Sequence, residues 1–150
     1  MLRNEQDLSF FDNACQKGMK GFSNVSLTTQ IREIIDKPFV RLAYSEAIDL
    51  LQKSGKSFEM PAVWGNDLAT EHEKYLCEEH FDGPVIVYDY PKDIKAFYMR
   101  LNDDDKTVAA MDILFPRCGE MVGGSQREER SDRLLGRIEA LGLDGSSLDW

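Results

Sequence analysis

Apolar residues recur at helical spacing along the first half of the chain. The stretches DLSFFDNACQKGMKG and LTTQIREIIDKP, and then EAIDLLQKSG after Ser45, each place apolar side chains three or four residues apart. A fourth helix is predicted from about Glu71 to Phe81. We expect Ser45 to be the N-cap of the third helix and Thr70 the N-cap of the fourth. The alternating segment PFVRLAY predicts a short strand between the second and third helices.

The pattern changes after the Gly83–Pro84 pair. Four segments rich in Val, Ile, Tyr and Phe are separated by turns: PVIVYDY, KAFYMRL, TVAAMDILFP and GEMVGGSQRE. The polar run NDDDK, Asn102 to Lys106, predicts a hairpin loop between two of these strands. A last helix is predicted over SDRLLGRIEALG, with its apolar residues on one face and its end at Gly142.

Helices followed by consecutive strands predict an α+β fold in which an antiparallel β-sheet is flanked by helices. We expect a helical part over about 1–82, a sheet part over about 84–128 and a final helix over about 130–141. A chain of 150 residues has about the length of one domain.

Composition and charge bear on whether this segment binds nucleic acid, a membrane or zinc. The net charge is −9, from 27 acidic against 18 basic residues, so this segment alone lacks the basic surface that grips nucleic acid. No apolar run reaches membrane-spanning length, and we expect no membrane partner. Cys15, Cys77 and Cys118 form no C-x-x-C pair, which favours reduced thiols over a structural zinc site.

One carboxylate interrupts the most apolar strand. TVAAMDILFP is apolar on both faces apart from Asp112, which predicts a central strand covered on both sides. A lone carboxylate in such a strand is costly unless it is paired or bound to a metal. A structural salt bridge to a nearby Arg or Lys and a metal or substrate site both remain open.

Glu120 and Arg127 frame a pair of glycines in GEMVGGSQRE. They are seven residues apart, so strict alternation would place them on opposite faces of a strand. Gly123 and Gly124 inside a strand indicate a bulge or a close backbone approach to a ligand. We predict a single-residue bulge between the two glycines, which would bring Glu120 and Arg127 to the same face.

The segment YPKDIKAFYMRLNDD raises a related question. Its cations Lys92, Lys95 and Arg100 are interpreted most simply as solvated. Tyr98 has the opposite parity to Lys95, and a Tyr among core aromatic residues is more often half-buried with a satisfied hydroxyl than a substrate contact.

Four stretches together carry a family resemblance: RLAYSEAIDLL, WGNDLATEHEKYL, GPVIVYDYPKDIKAFYMRLNDDDKTVAAMDILFP and GEMVGGSQREER. In order and spacing they closely resemble the asparaginyl-tRNA synthetases, class II aminoacyl-tRNA synthetases of the aspartate-like subgroup, over nearly all of the chain. The GGSQREER stretch resembles the bacterial and organellar type more than the archaeal or eukaryotic cytosolic type.

The resemblance implies a two-step reaction, in which asparagine and ATP form asparaginyl-adenylate and the adenylate then passes asparagine to its tRNA. It implies ATP as substrate and Mg²⁺ as cofactor. By the same resemblance, Glu120 is expected to hold the ATP-bound Mg²⁺, with Asp112 as its acidic partner and Gly123 where the backbone comes close to ATP. Arg127 is expected to bind the amino acid, and Tyr98 to form a wall of its pocket.

Other motifs of the resembled family are not found in these 150 residues. They are the dimer-interface motif, the F-R-x-E motif, the third G-x-G-x-x-R motif and the OB-type anticodon-binding domain. We therefore expect an internal piece of a catalytic domain that is inactive and poorly stable alone. The expected full-length enzyme is a homodimer acting on asparagine and tRNA(Asn) in the cytoplasm, or alternatively in a mitochondrion or chloroplast. Two alternatives stay open: a class II paralogue that uses aspartate or another amino acid, and a non-catalytic truncated remnant.

Overall fold

The structure, a computed structural model, describes residues 27–143, and these fall into two compact units divided between Pro38 and Phe39. The first unit contains helix α1, Leu27–Asp36, which LTTQIREIIDKP predicted and which ends ahead of Pro38. The helix predicted over DLSFFDNACQKGMKG lies outside the described residues. Every other element named below belongs to the second unit.

A four-stranded sheet in the order β1-β2-β3-β4 organises the second unit. Its strands are β1 Val40–Ala43, β2 Val85–Pro91, β3 Thr107–Phe115 and β4 Gly119–Ser125. Strand β3 is antiparallel to both of its neighbours, β2 and β4, as predicted, whereas β1 is parallel to β2 at the sheet edge. The parallel pair arises because a helical crossover separates β1 from β2 in the sequence. The fold is α+β, with helices flanking the sheet.

The helical elements of this unit connect the strands or follow them. They are α2 Tyr44–Lys53, α3 Thr70–Lys74, a π-helix Tyr75–His80 that continues α3, a 3₁₀ turn Lys92–Ile94 and α4 Ser131–Ala140. Among the described residues no helix is long and apolar enough to cross a membrane.

The predicted helix caps are wrong by one or two positions. Ala43 and Ala69 hold the N-cap positions of α2 and α3, so Ser45 and Thr70 lie within the first turns. Each cap uses a side chain three residues ahead. Glu46 Oε2 accepts the Ala43 N–H at 3.1 Å, and His72 Nδ1 accepts the Ala69 N–H at 3.1 Å. A side chain that reaches back to the cap backbone replaces the hydroxyl that we expected.

The strand predicted over KAFYMRL is wrong, because this segment is a wedge rather than a ladder. The wedge, residues 98–101, is inserted where β3 and the residues after β4 diverge. The Arg100 carbonyl accepts the Ala109 N–H at 2.8 Å, and the Arg100 N–H donates to the Gln126 carbonyl at 2.9 Å. Only isolated bridges form, Met99 to Arg127 and Leu101 to Val108. The predicted loop at 102–106 does close a turn beside the wedge.

The hydrophobic core covers one face of the sheet. Its buried members come from alternate strand positions and from the inward sides of α2 and the π-helix: Leu42, Tyr44, Ala47, Ile48, Leu51, Leu76, Cys77, Val85, Val87, Tyr90, Leu101, Val108, Ala110 and Leu114. On β3 the core side is buried, whereas Met111 and Ile113 on the other side are half-exposed in the described part of the chain. The expected cover on both faces is therefore present on one face only within residues 27–143. Asp112 lies on the buried face.

Candidate functional site

Two carboxylates from neighbouring strands converge over a glycine. Gly123 of β4 lies opposite Asp112 of β3 in the ladder. A Cβ atom on Gly123 would lie 2.5 Å from Glu120 Oε1 and 3.2 Å from Asp112 Oδ1. We call this space, bounded by Glu120, Asp112 and Gly123, the Gly123 cradle. The sequence pointed to these three residues, and the structure brings them together.

A β-bulge gives Glu120 its place in the cradle, although not where we predicted it. Met121 is the extra residue, because its neighbours Glu120 and Val122 lie opposite consecutive residues of β3. Both glycines lie in a regular ladder, so the bulge predicted between them is wrong. The bulge at Met121 nevertheless puts Glu120 on the face of Gly123, and counting by twos from Gly123 gives Arg127 the same parity.

Asp112 divides its two oxygens between a salt bridge and the cradle. Oδ2 accepts from Lys95 Nζ at 3.0 Å, and both side chains are largely buried, with 11% and 16% exposed. Oδ1 is the atom that faces Gly123. The two interpretations of Asp112 are therefore compatible, because the salt bridge occupies one oxygen and leaves the other facing the cradle.

Lys95 is a site residue that the sequence left among the solvated cations. Its ammonium lies 4.0 Å from the centre of the Tyr90 ring, a cation–π distance, besides pairing with Asp112. Burial raises the pKa of Tyr90, and the neighbouring Asp112 raises it further. The segment before the wedge therefore places the Lys95 ammonium against Asp112 of β3.

Glu73 of α3 brings a carboxylate to Gly119 at the start of β4, a contact that sequence reasoning missed. Its Oε2 lies 3.0 Å from where a Cβ on Gly119 would be. Gly119 also has φ +73°, so glycine is favoured there on both counts. Burial raises the pKa of Glu73, and the Glu120 and Asp112 carboxylates raise it further. In the sequence, Glu73 is simply one of two acidic residues in the first turn of a helix. Its contact with β4 could not be predicted, because the two are far apart in the chain.

Arg127 and Tyr98, the two expected amino-acid contacts, touch each other. The guanidinium carbon of Arg127 lies 4.1 Å from the centre of the Tyr98 ring. The ring is 40% exposed, so Tyr98 is more open than the half-buried core residue that its neighbours indicated. The backbone bridge between Met99 and Arg127 holds the two segments together. A flat cation stacked on an accessible ring forms a surface suited to a small polar ligand.

The cradle provides two carboxylates rather than a closed metal-binding set. Across residues 27–143 no three His, Cys, Asp or Glu side chains are grouped so as to hold a metal ion. Mg²⁺ is commonly bound through one or two carboxylates together with phosphate oxygens and water, whereas structural zinc takes four protein ligands.

Several proteins named asparagine–tRNA ligase are similar in sequence to this chain. Asparagine–tRNA ligase of Oleidesulfovibrio alaskensis is 60% identical over 129 residues, covering 86% of this chain and 28% of that protein. Asparagine–tRNA ligase of Vibrio cholerae is 47% identical over 150 residues, covering 100% of this chain and 30% of that protein. The chain thus spans less than a third of the length of these relatives.

Solved structures of asparaginyl-tRNA synthetases are similar to this fold. The crystal structure of asparaginyl-tRNA synthetase from Pyrococcus horikoshii complexed with asparaginyl-adenylate matches with a TM-score of 0.72 at 40% identity, over 95% of this chain and 32% of that one. Residues 6–149 match the family described as class II tRNA synthetases (D, K and N). With nearly the whole chain inside that match, the protein belongs to the class II tRNA synthetases of the D, K and N group.

Proposed function

We propose that this chain is part of the catalytic domain of an asparagine–tRNA ligase. The proposed enzyme joins asparagine to ATP, releasing pyrophosphate and forming asparaginyl-adenylate, and then transfers asparagine to the 3′-terminal adenosine of tRNA(Asn). The convergence of Glu120 and Asp112 over Gly123 carries the proposal. It occurs in a chain 47–60% identical to proteins named asparagine–tRNA ligase. The chain contributes one wall of the site.

The cradle fits Mg²⁺ by its donor chemistry. Glu120 Oε1 and Asp112 Oδ1 point into a space that a single methyl group would fill, and no side chain of residue 123 competes for it. Glu120 and Asp112 would hold the ion, which supplies positive charge to the phosphates of ATP when bound. Lys95 pairs with the other oxygen of Asp112 and thereby orients the carboxylate.

Arg127 and Tyr98 are proposed to bind the amino acid. A guanidinium offers parallel N–H donors to a carboxamide or carboxylate oxygen, and stacking on the Tyr98 ring fixes its plane. Arg127 lies four residues beyond Gly123, so an extended chain separates the two subsites by roughly 13 Å. One wall can thus hold ATP at the cradle and asparagine beyond it.

The proposed chemistry depends on positioning and charge rather than on a covalent enzyme intermediate. In-line attack of the asparagine carboxylate on the α-phosphate needs reactants held in register, which oriented cations and carboxylates provide. Burial raises the pKa of Cys77 to about 12, so this thiol stays protonated and is a poor nucleophile. In the proposed mechanism the residues of the cradle bind and orient the reactants and form no covalent bond with them.

The wider setting follows from the same proposal. We place the enzyme in the cytoplasm, as a homodimer, with its anticodon-binding barrel and its remaining ATP-binding motifs in segments other than these 150 residues. We also propose that about 1–82 form the helical part and about 84–128 the sheet part of this piece of the catalytic domain.

A chimaeric enzyme tests the proposal. The Vibrio cholerae relative aligns with all 150 residues, so its aligned segment can be replaced by this chain. We expect asparagine-dependent ATP–pyrophosphate exchange and charging of tRNA(Asn) by this chimaera, and no exchange by the 150-residue chain alone. Exchange driven by aspartate in an amino-acid panel would identify a paralogue of different substrate, and a well-folded but inactive chimaera would indicate a remnant.

A further inference from the structure

Glu128, the residue after Arg127, is a carboxylate without exposed side-chain surface. Its Oε2 accepts the Leu101 N–H at 2.9 Å and Arg130 Nη2 at 2.9 Å, and its Oε1 accepts Arg130 Nε at 2.7 Å. Arg130 Nη2 also donates to the Leu101 carbonyl at 2.6 Å. Glu128, Arg130 and the Leu101 backbone therefore form a closed set of hydrogen bonds, which we call the Glu128 clasp.

The clasp joins the wedge to the segment that carries Arg127. Backbone bonds flank Arg127 on both sides, since the Glu128 N–H donates to the Tyr98 carbonyl at 2.9 Å and the Arg100 N–H donates to the Gln126 carbonyl at 2.9 Å. These two bonds form the isolated Met99–Arg127 bridge, which is short pairing for a segment outside the regular ladder. The clasp adds a charge-assisted, bidentate contact where that pairing ends.

The position of the Arg127 guanidinium depends on this frame. It stacks at 4.1 Å on Tyr98, whose carbonyl receives the Glu128 N–H. The backbone on each side of the stack is thus held by residue 128. An amide at position 128 would keep an acceptor for Leu101 but would turn N–H donors toward the donors of Arg130, and the clasp would open.

We propose that Glu128 is a positioning residue that holds Arg127 and Tyr98 in place and thereby sets the affinity for the amino-acid substrate. This inference rests on the proposed function, because it assigns asparagine to the Arg127–Tyr98 surface. Glu128 itself does not contact the substrate, since its oxygens are taken by Arg130 and Leu101. Glu128 acts through the backbone of the neighbouring residue.

The matched variants are Glu128→Gln and Glu129→Gln in the chimaera. Both remove one negative charge from adjacent positions. Glu129, however, is 54% exposed and pairs with Arg100 at 3.1 Å outside the clasp. For Glu128→Gln we expect KM for asparagine to rise by about tenfold or more, with kcat and KM for ATP changing much less, as small misplacements of a binding group produce. Glu129→Gln should match the parent.

Crystal structures of the same variants separate positioning from activity. Arg127 should leave the Tyr98 ring in Glu128→Gln and remain stacked in Glu129→Gln. An unmoved Arg127 in Glu128→Gln overturns the inference, even if the parent chimaera does not catalyse. A displaced Arg127 with an unchanged KM for asparagine also overturns it. Absence of asparagine-dependent ATP–pyrophosphate exchange by the unsubstituted chimaera would refute the proposed function, and this measurement needs no variant.

Discussion

Gly123→Ala is the sharpest test of the cradle, because it adds one methyl group in the space where Mg²⁺ and ATP are proposed to bind. The new Cβ would lie 2.5 Å from Glu120 Oε1, whereas ordinary contact begins near 3.4 Å, so the carboxylate must retreat by about 1 Å. The Asp112 oxygen at 3.2 Å is tight as well. A shift of about 1 Å in a positioned group can lower a rate by about 100-fold.

The same substitution should leave the fold intact. Glu120 is exposed and its carboxylate ends a flexible chain, so it can move without disturbing the core. Gly123 lies within the regular ladder of β4, and replacing a glycine by alanine in a compatible conformation stabilises by about 0.5 kcal/mol through the unfolded state. We therefore expect unchanged or slightly greater stability together with a large loss of activity.

Gly124→Ala provides the control. A Cβ at this position faces the other side of the sheet and meets only Met111 Cε at 3.6 Å, an ordinary contact. In the chimaera we expect kcat/KM for ATP in pyrophosphate exchange to fall by about 100-fold for Gly123→Ala and to stay near the parent value for Gly124→Ala. Parent-like exchange by Gly123→Ala, or an equal loss in both variants, refutes the cradle as the ATP–metal site.

Two further results follow from buried groups of the core face. Lys95→Met leaves the Asp112 carboxylate without its cation in a largely buried place. It should cost about 3 kcal/mol in urea unfolding of the chimaera. Adding Asp112→Asn should recover much of this loss, and equal stability of parent and Lys95→Met would contradict the pairing. Burial raises the pKa of Cys77 to about 12, so its thiolate fraction near pH 8 is on the order of 1000-fold below that of a free cysteine. Iodoacetamide should therefore label exposed Cys118 well before Cys77 in peptide maps, and equal labelling would show that Cys77 is accessible.

The strands β2, β3 and β4 were predictable because each has its own pattern of apolar residues between turns. The segment KAFYMRL has the same composition and was predicted wrongly. Its backbone groups are divided between two diverging partners, Ala109 and Gln126, which no local pattern encodes. The parallel placement of β1 likewise depends on which strand it meets, and one short alternating segment does not specify a neighbour.

The sequence singled out most residues of the candidate site, but it did not predict most of the contacts between them. Resemblance selected Glu120, Gly123 and Arg127, and the bulge that turns Glu120 toward Gly123 was expected two positions further along the strand. Glu73 and Lys95 were missed because their partners are 47 and 17 residues away, on other elements. A charged residue on a helix or loop gives no sign of its distant partner until the fold is known.

The wedge divides the proposed site into two parts with different mechanical support. The Gly123 cradle lies on a continuous three-stranded ladder, which constrains both of its carboxylates. The Arg127–Tyr98 surface lies where the strands have separated, and it is supported by isolated bridges and the clasp. Substitutions in and around the wedge can thus reshape the proposed amino-acid surface while the Gly123 cradle keeps its geometry. If the proposed function is right, such independence would let members of the D, K and N family share one sheet and differ at the wedge in the amino acid they bind.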